Sequence, residues 1–374
     1  MPLYIGLMSG TSLDGVDGVL AAFDDGVAGP SAVQVQAHRH SAFSSTLRER
    51  LLRLNRSGDD ELHLAALAAN ELVGVYAGVV DGLLRATGID RNTVRAIGAH
   101  GQTVRHRPLE FDGTGYTLQL MNGALLAELC SIDVVCDLRS RDVAAGGQGA
   151  PLVPAVHAAL FGRADEDVAV LNLGGIGNLT LLPAQGPVRG FDCGPGNALL
   201  DLWCQRHRGA PYDEDGRWAA SGHVDDKLLR ALLAEPFLHR SPPKSTGRDL
   251  FHAEWLEAKL QGLGTLPAAD VQATLAEFTA RAAADDLQRY ATATRRLLVC
   301  GGGACNHHLM QRLTALLPGL SVQTTAEAGV PPLQVEALAF AWLARAFMQR
   351  QPGNLATVTG ARGPRILGAL YPAG

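Results

Sequence analysis

Apolar positions at the start of the chain alternate, pause in a polar turn, and alternate again. Tyr4-Ile5-Gly6-Leu7-Met8 is a short apolar run that breaks into Ser9-Gly10-Thr11-Ser12-Leu13-Asp14-Gly15. Apolar side chains return at Val16, Val19, Ala21 and Phe23. Strand, polar turn, strand is the pattern of a β-hairpin. Val33 to His40 continues it as a third strand. The device recurs mid-chain, where Asp167 to Leu173 enters Gly174-Gly175-Ile176-Gly177-Asn178 and leaves through Leu179 to Leu182. Such a recurrence predicts two related halves. Leu297 to Cys300 is a third buried-type strand, opening through Gly301-Gly302-Gly303-Ala304-Cys305-Asn306 into a helix from about His307 to Leu317.

Between these landmarks, Ser44 to Asn55 and the long, alanine-rich Glu61 to Thr87 carry helical patterns. Strands at Arg95–Ala99, Tyr116–Met121 and Ile132–Cys136 surround a helix at Gly123–Cys130. Further helices are predicted over Leu152–Phe161, Gly196–His207, Ala269–Tyr290 and Leu333–Gln349, with strands around Val170, Leu181, Arg189 and Val299. This alternation predicts an α/β fold with mixed sheets flanked by helices. The polar, glycine-rich Asp137 to Pro151 is the expected crossing between lobes, and the Pro-, Gly- and charge-rich Tyr212 to Arg248 is expected at the surface. The resulting division is 1–138 with 345–374 for one lobe and 139–344 for the other.

Composition narrows the class. A chain of 374 residues, 47% apolar and 18% charged, is long enough for two cores. Its formal net charge of −5 argues against nucleic acid or an anionic membrane as the main partner. No apolar run approaches the ~18 residues of a membrane span. The start lacks the basic region and long apolar stretch of a signal peptide. The six cysteines show no C-x-x-C pair and no histidines at zinc spacing, which suits reduced thiols in a cytoplasm. His38 and His40 share one face of a strand without a third ligand nearby in sequence.

The glycine turns carry the candidate chemistry. Gly10, Thr11, Ser12 and Gly15 let N–H groups and hydroxyls approach a phosphate without a Cβ in the way. Asp14 and Asp17 suit a phosphate that carries Mg²⁺, whose water shell they could hold; a tight hairpin with solvated acids is the alternative. The third glycine segment sets helix N-terminal N–H groups where a nucleotide could lie. Three such loops point to a nucleotide cleft between two lobes. In Phe191-Asp192-Cys193-Gly194-Pro195-Gly196-Asn197 a strand ends at an acid held above a turn, which suits a general base. The alternative is an Asx turn or helix cap. Glu336, on an otherwise apolar helix start, is either a dipole partner or a ligand group. His100 and Gln102, beside Gly101 at a strand end, offer donors to sugar hydroxyls or form a satisfied loop network. Pro243-Lys244-Ser245-Thr246-Gly247-Arg248 lacks the glycine spacing of a Walker A loop and reads as a stiff loop that could close over a ligand. Gly175-Ile176-Gly177 runs on to Thr180 rather than a third glycine, so the dinucleotide fingerprint fails. No G-x-S-x-G elbow occurs.

Gly6 to Asp17, His100-Gly101-Gln102-Thr103, Asn172 to Asn178, Phe191 to Asn197, Pro243 to Arg248 and Val358-Thr359-Gly360-Ala361 together resemble the anhydro-N-acetylmuramic acid kinases of bacterial cell-wall recycling. The likeness runs nearly end to end. Cys193 stands where the motif more often has threonine. The resemblance implies the two-lobed actin-like ATPase (ribonuclease H-like) fold, with mixed five-stranded sheets. It implies ATP and Mg²⁺, opening of the anhydro bridge, and phosphorylation of the freed 6-hydroxyl to give N-acetylmuramic acid 6-phosphate. Asp192 would activate water. Gly10, Thr11, Ser12, Leu13, Asp14, Gly15, Val16 and Asp17 would cradle the phosphates, with Gly174, Gly175 and Asn178 as the second phosphate loop. Gly301, Gly302, Gly303 and Asn306 would border the adenosine. His100, Gln102, Asn172 and Glu336 would contact the sugar. A cytoplasmic homodimer is implied as well. The rival readings are another kinase of the same fold acting on a plain sugar, and an actin-like or chaperone-like ATPase that phosphorylates no small molecule.

Overall fold

β1 (Leu3–Met8) and β2 (Gly15–Phe23) form the expected hairpin, paired antiparallel from Leu3↔Ala22 to Met8↔Asp17. This computed structural model describes residues 1–10, 12–24, 29, 32–247 and 250–374; Thr11 and Arg248 lie outside the described residues. β3 (Val33–Ala42) adds antiparallel to β2. Then come α1 (Ser45–Leu54) and α2 (Glu61–Thr87). Ser44 caps α1 by accepting the Leu47 N–H, and Gly88 ends α2 at φ 67°. β4 (Val94–Ala99) runs parallel to β1, and β5 (Gln102–Pro108) with β6 (Gly115–Leu120) makes a separate two-stranded sheet. α3 (Gly123–Cys130), β7 (Val134–Cys136), α4 (Ser140–Ala144) and α5 (Val153–Phe161) follow.

α2 is, by length and composition, apolar enough to cross a membrane, which the count of uninterrupted apolar residues had excluded. Its many alanines raise the mean hydropathy without a continuous run of large side chains. Leu72, Val73, Tyr76, Val79, Val80 and Leu83 on this helix are buried with Ile5, Leu7, Val16 and Leu20 of the sheet, so its apolar face is core.

The next stretch begins with β8 (Val168–Leu173), β9 (Gly177–Leu182) and β10 (Arg189–Gly194). The helices α6 (Ala198–Arg208), α7 (Arg217–Ala220), α8 (Asp226–Leu233), α9 (Ala253–Leu260) and α10 (Ala268–Tyr290) come before β11 (Arg296–Cys300), α11 (His307–Leu316) and β12 (Ser321–Thr324). The chain closes with α12 (Val335–Met348), α13 (Ala356–Thr359) and β13 (Ala369–Tyr371). Two sheets result, ordered β13-β7-β4-β1-β2-β3 and β10-β9-β8-β11-β12. In each, three strands meander antiparallel and the fourth runs parallel to the first, with the fifth parallel to the fourth. The same five-strand plan is therefore present twice, the duplication that the repeated glycine hairpins predict. The first sheet carries one strand beyond the five expected, because β13 pairs antiparallel with β7.

Two compact units are Met1–Leu160 with Gln334–Gly374, and Phe161–Leu333. Both limits differ from those read in the sequence. The segment expected to cross between lobes is tied into the first unit by Asp142, which accepts from Gly149 N (2.8 Å), Asn354 Nδ2 (2.6 Å) and Thr359 Oγ1 (2.8 Å). α12 lies against β1 and β4 so closely that a Cβ on Gly6 or Gly98 would fall 1.9 Å from a carbonyl oxygen of Ala337 or Phe340. The stretch 212–248 is not the surface excursion its composition suggests. Leu228, Leu229, Leu232, Phe237 and Leu238 are buried with Trp203, Phe251 and Phe278. The apolar spacing of α8, capped by Asp225 on Leu228 N, outweighs the breakers around it.

Candidate active site

Within the second unit three glycine turns converge. Asn197 and Ala198 donate their N–H groups to Gly174 O (2.8 Å) and Gly175 O (3.0 Å), and Asn197 Nδ2 donates to Leu173 O (2.9 Å). From α10, Thr279 Oγ1 donates to Gly196 O at 2.8 Å. Gly196 sits at φ 53°, where a Cβ would stand 2.4 Å from Gly174 O. A Cβ on Gly301 would meet Asn172 Oδ1 at 2.5 Å, and one on Gly303 would meet Leu173 Cβ at the same distance. Gly196 and Gly301 also take a left-handed φ that favours glycine, while Gly303 is closed by the Leu173 and Asn197 side chains. Gly302 is open, with Asn197 Nδ2 its nearest neighbour at 3.7 Å. Asn306 caps α11 by accepting the Leu309 N–H at 2.9 Å.

One rung of the sheet joins the polar residues: Asp192 pairs with Asn178, Asn178 with Asn172, and Asn172 with Cys300. Partners on a rung share a face. Their neighbours Leu171, Leu173, Leu179, Phe191, Cys193 and Val299 fill the core on the other face. The ladder is irregular between Asp192 and Gly194, the kind of bulge that re-aims a side chain. Asp192 is not a helix cap. Its Oδ2 accepts from Ser245 Oγ and from Thr246 N, both at 2.9 Å, and its own N–H donates to Lys244 O at 3.0 Å. Burial pushes its carboxyl above the usual aspartate range, while the Thr246 N–H, the Ser245 hydroxyl and the Lys244 charge pull it back. Ser245 and Thr246 were legible only as a stiff loop, since the acid they hold lies more than fifty residues earlier.

The first unit holds the other expected residues. Gly10 O accepts from Gln102 Nε2 (3.0 Å) and Leu13 N (3.3 Å). Asp14 Oδ1 accepts from Ser12 Oγ (2.7 Å) and Gly15 N (3.0 Å). Leu13 and Val16 are buried, so only their backbones can meet a ligand. Asp17 Oδ1 lies 3.0 Å from His38 Nε2 and 3.3 Å from His40 Nδ1. Among the described residues no group of three or more His, Cys, Asp or Glu is placed to hold a metal. His100 is part of a network. Its Nδ1 lies 3.2 Å from Ser9 O, and Arg139 Nε donates to its Nε2 at 3.0 Å. Burial, reinforced by the Arg139 charge, lowers this imidazole to about 3. Burial also lowers Arg139 to about 10 against the opposing pull of Glu336 and Asp142. Arg139, which sequence reading missed, thus bonds His100 and feels the charge of Glu336. Gln102 Oε1 is buried without a hydrogen-bond partner among the described residues.

The architecture is thus a duplicated α/β fold with a glycine hairpin in each half and one clamped acid on β10 of the second. The comparisons refine that class. The sequence profile described as anhydro-N-acetylmuramic acid kinase matches residues 2–373. A protein of that description from Variovorax paradoxus is 60% identical over 99% of both chains. One from Cupriavidus metallidurans is 60% identical over 99% of this chain and 97% of its own. A solved activator of 2-hydroxyisocaproyl-CoA dehydratase from Clostridium difficile, with bound ADPNP, is similar at 12% identity and a TM-score of 0.47, covering 93% of this chain and 96% of its own. The chain belongs to the anhydro-N-acetylmuramic acid kinase family.

Proposed function

We propose that Asp192 is the general base of a ring opening coupled to phosphoryl transfer. The enzyme converts anhydro-N-acetylmuramic acid, ATP and water to N-acetylmuramic acid 6-phosphate and ADP, in peptidoglycan recycling. Water attacks the anomeric carbon and gives its proton to Asp192. The bond from that carbon to the bridging oxygen breaks, and the freed O6 attacks the γ-phosphorus as ADP leaves. What supports this reading is the aspartate itself, half-buried, raised in pKa and fixed through one oxygen.

Phosphoryl transfer needs positioning and charge stabilisation more than covalent chemistry. The turn from Gly10 to Asp17 and the turn at Gly174, Gly175 and Asn178 serve the phosphates in this reading, and Gly301 to Gly303 with Asn306 border the adenosine. His100, kept neutral, Gln102 with its unspent acceptor, Asn172 and Glu336 serve the sugar. Mg²⁺ keeps several of its waters and needs only one or two carboxylates. Asp14, which among the described residues is engaged through Oδ1 by Ser12 and Gly15, fits that demand, and Asp17 lies beside the two histidines. The ion would neutralise charge on the phosphate oxygens. A cytoplasmic homodimer completes the reading, on family resemblance.

Asp192→Asn tests the assignment. It should keep the melting temperature and ATP binding, and lose on the order of 10²–10⁴-fold in kcat, the range for a positioned base. Near-normal turnover would remove Asp192 from the role.

A further inference from the structure

Lys244 is the most unusual residue of the second unit that the reaction above does not use. It stands in a loop of prolines and hydroxyls, yet only 6% of it is exposed. Its Nζ lies 2.7 Å from Asp286 Oδ2, on α10, and donates to Leu238 O at 3.1 Å. The rings of Phe191 and Phe237 flank it at 5.9 Å and 5.3 Å. A buried ion pair of this kind is poor at adding stability and good at fixing one geometry. What it fixes here is the next two residues, because the Lys244 carbonyl receives the Asp192 N–H while Ser245 and Thr246 both donate to Asp192 Oδ2. Two donors converge on the same carboxylate oxygen. Among the described residues Oδ1 takes no hydrogen bond from the protein.

We propose that Ser245 and the Thr246 amide, anchored by the Lys244–Asp286 pair, are positioning groups that dedicate Asp192 Oδ1 to proton abstraction. The inference rests on Asp192 being the base. With Oδ2 committed, the carboxylate cannot rotate, and a single oxygen faces the water to be deprotonated. Of the charged groups, Lys244 from the loop acts on the carboxylate while Asp286 from α10 pairs with Lys244, and the adjacent Cys193 has a thiol that burial holds well above its ordinary value and therefore protonated. Asp192 is then the group whose titration shapes the acid side of the rate profile.

The test compares kcat against pH for wild type, Ser245→Ala, Ser245→Thr, the double variant Lys244→Met/Asp286→Leu, and Asp192→Asn. Each is assayed as the full chain with ATP and the anhydro sugar. Losing a hydrogen bond to a charged group should cost Ser245→Ala on the order of 10- to 100-fold in kcat. Because that bond favours the ionised carboxylate, the acid limb should move to higher pH. KM for ATP should stay put, and Ser245→Thr should recover rate and limb together. The double variant removes both buried charges at once and should move the limb the same way. A Ser245→Ala enzyme with wild-type kcat and acid limb, beside an inactive Asp192→Asn, overturns the clamp while leaving the base in place. An active Asp192→Asn overturns both.

Discussion

His100 shows what burial does to a single titratable side chain. Its ring nitrogens lie against Ser9 O and the Arg139 guanidinium, with the result that the folded protein holds it neutral down to about 3. In the unfolded chain the same imidazole takes a proton near its ordinary value of 6.5. The unfolded state therefore binds the extra proton between those values, and the residue favours unfolding increasingly as pH falls through that window. Its contribution to stability is whole above about 6.5 and is lost on acidification. His100→Gln, which cannot be protonated, should lose less thermal stability than wild type between about pH 7.5 and about pH 5.5. Equal losses in the two proteins would contradict this account. Asp192 is driven the other way, upward by burial, and its clamp limits how far.

At the scale of elements, the glycine turns decide what can be changed. Gly196 has a left-handed backbone and no room for a Cβ, whereas Gly302 has room. Gly196→Ala should destabilise by about 1–3 kcal/mol and disturb the Gly174 turn, the usual cost of forcing such a conformation. Gly302→Ala should melt like wild type, with any defect confined to KM for ATP. Equal melting temperatures for the two variants would show that the turns do not pack as described. The hairpins and most helices were legible, because hydrophobic period and glycine punctuation are local signals; α3 runs from Gly123 to Cys130 as its pattern predicts. β5 was not, because Arg105, His106 and Arg107 interrupt its apolar alternation. Nor was the burial of α8, where breakers at either end masked an apolar stripe of three leucines. The site divides likewise. The acid could be read from its motif, although its strand runs on to Gly194 instead of ending there, but Lys244–Asp286 and Arg139–His100 join residues about forty positions apart, and no local pattern announces such pairs.

At the scale of the whole molecule, the decisive feature is repetition. One five-strand plan appears in each unit, each time with a glycine turn after its first strand. Local sequence suggested the duplication, yet a nucleotide-driven switch protein could share that plan. The family places the chain among kinases that act on an anhydro sugar. In the mechanism proposed above, what sets this chemistry apart from an ordinary sugar kinase is that water, not a substrate hydroxyl, is the molecule Asp192 activates. Turnover of the anhydro sugar with ATP in ¹⁸O-enriched water measures that directly. The account predicts label at the anomeric hydroxyl of the phosphorylated product and none in the phosphate ester. Label in phosphate, with the anomeric oxygen unlabelled, would contradict it.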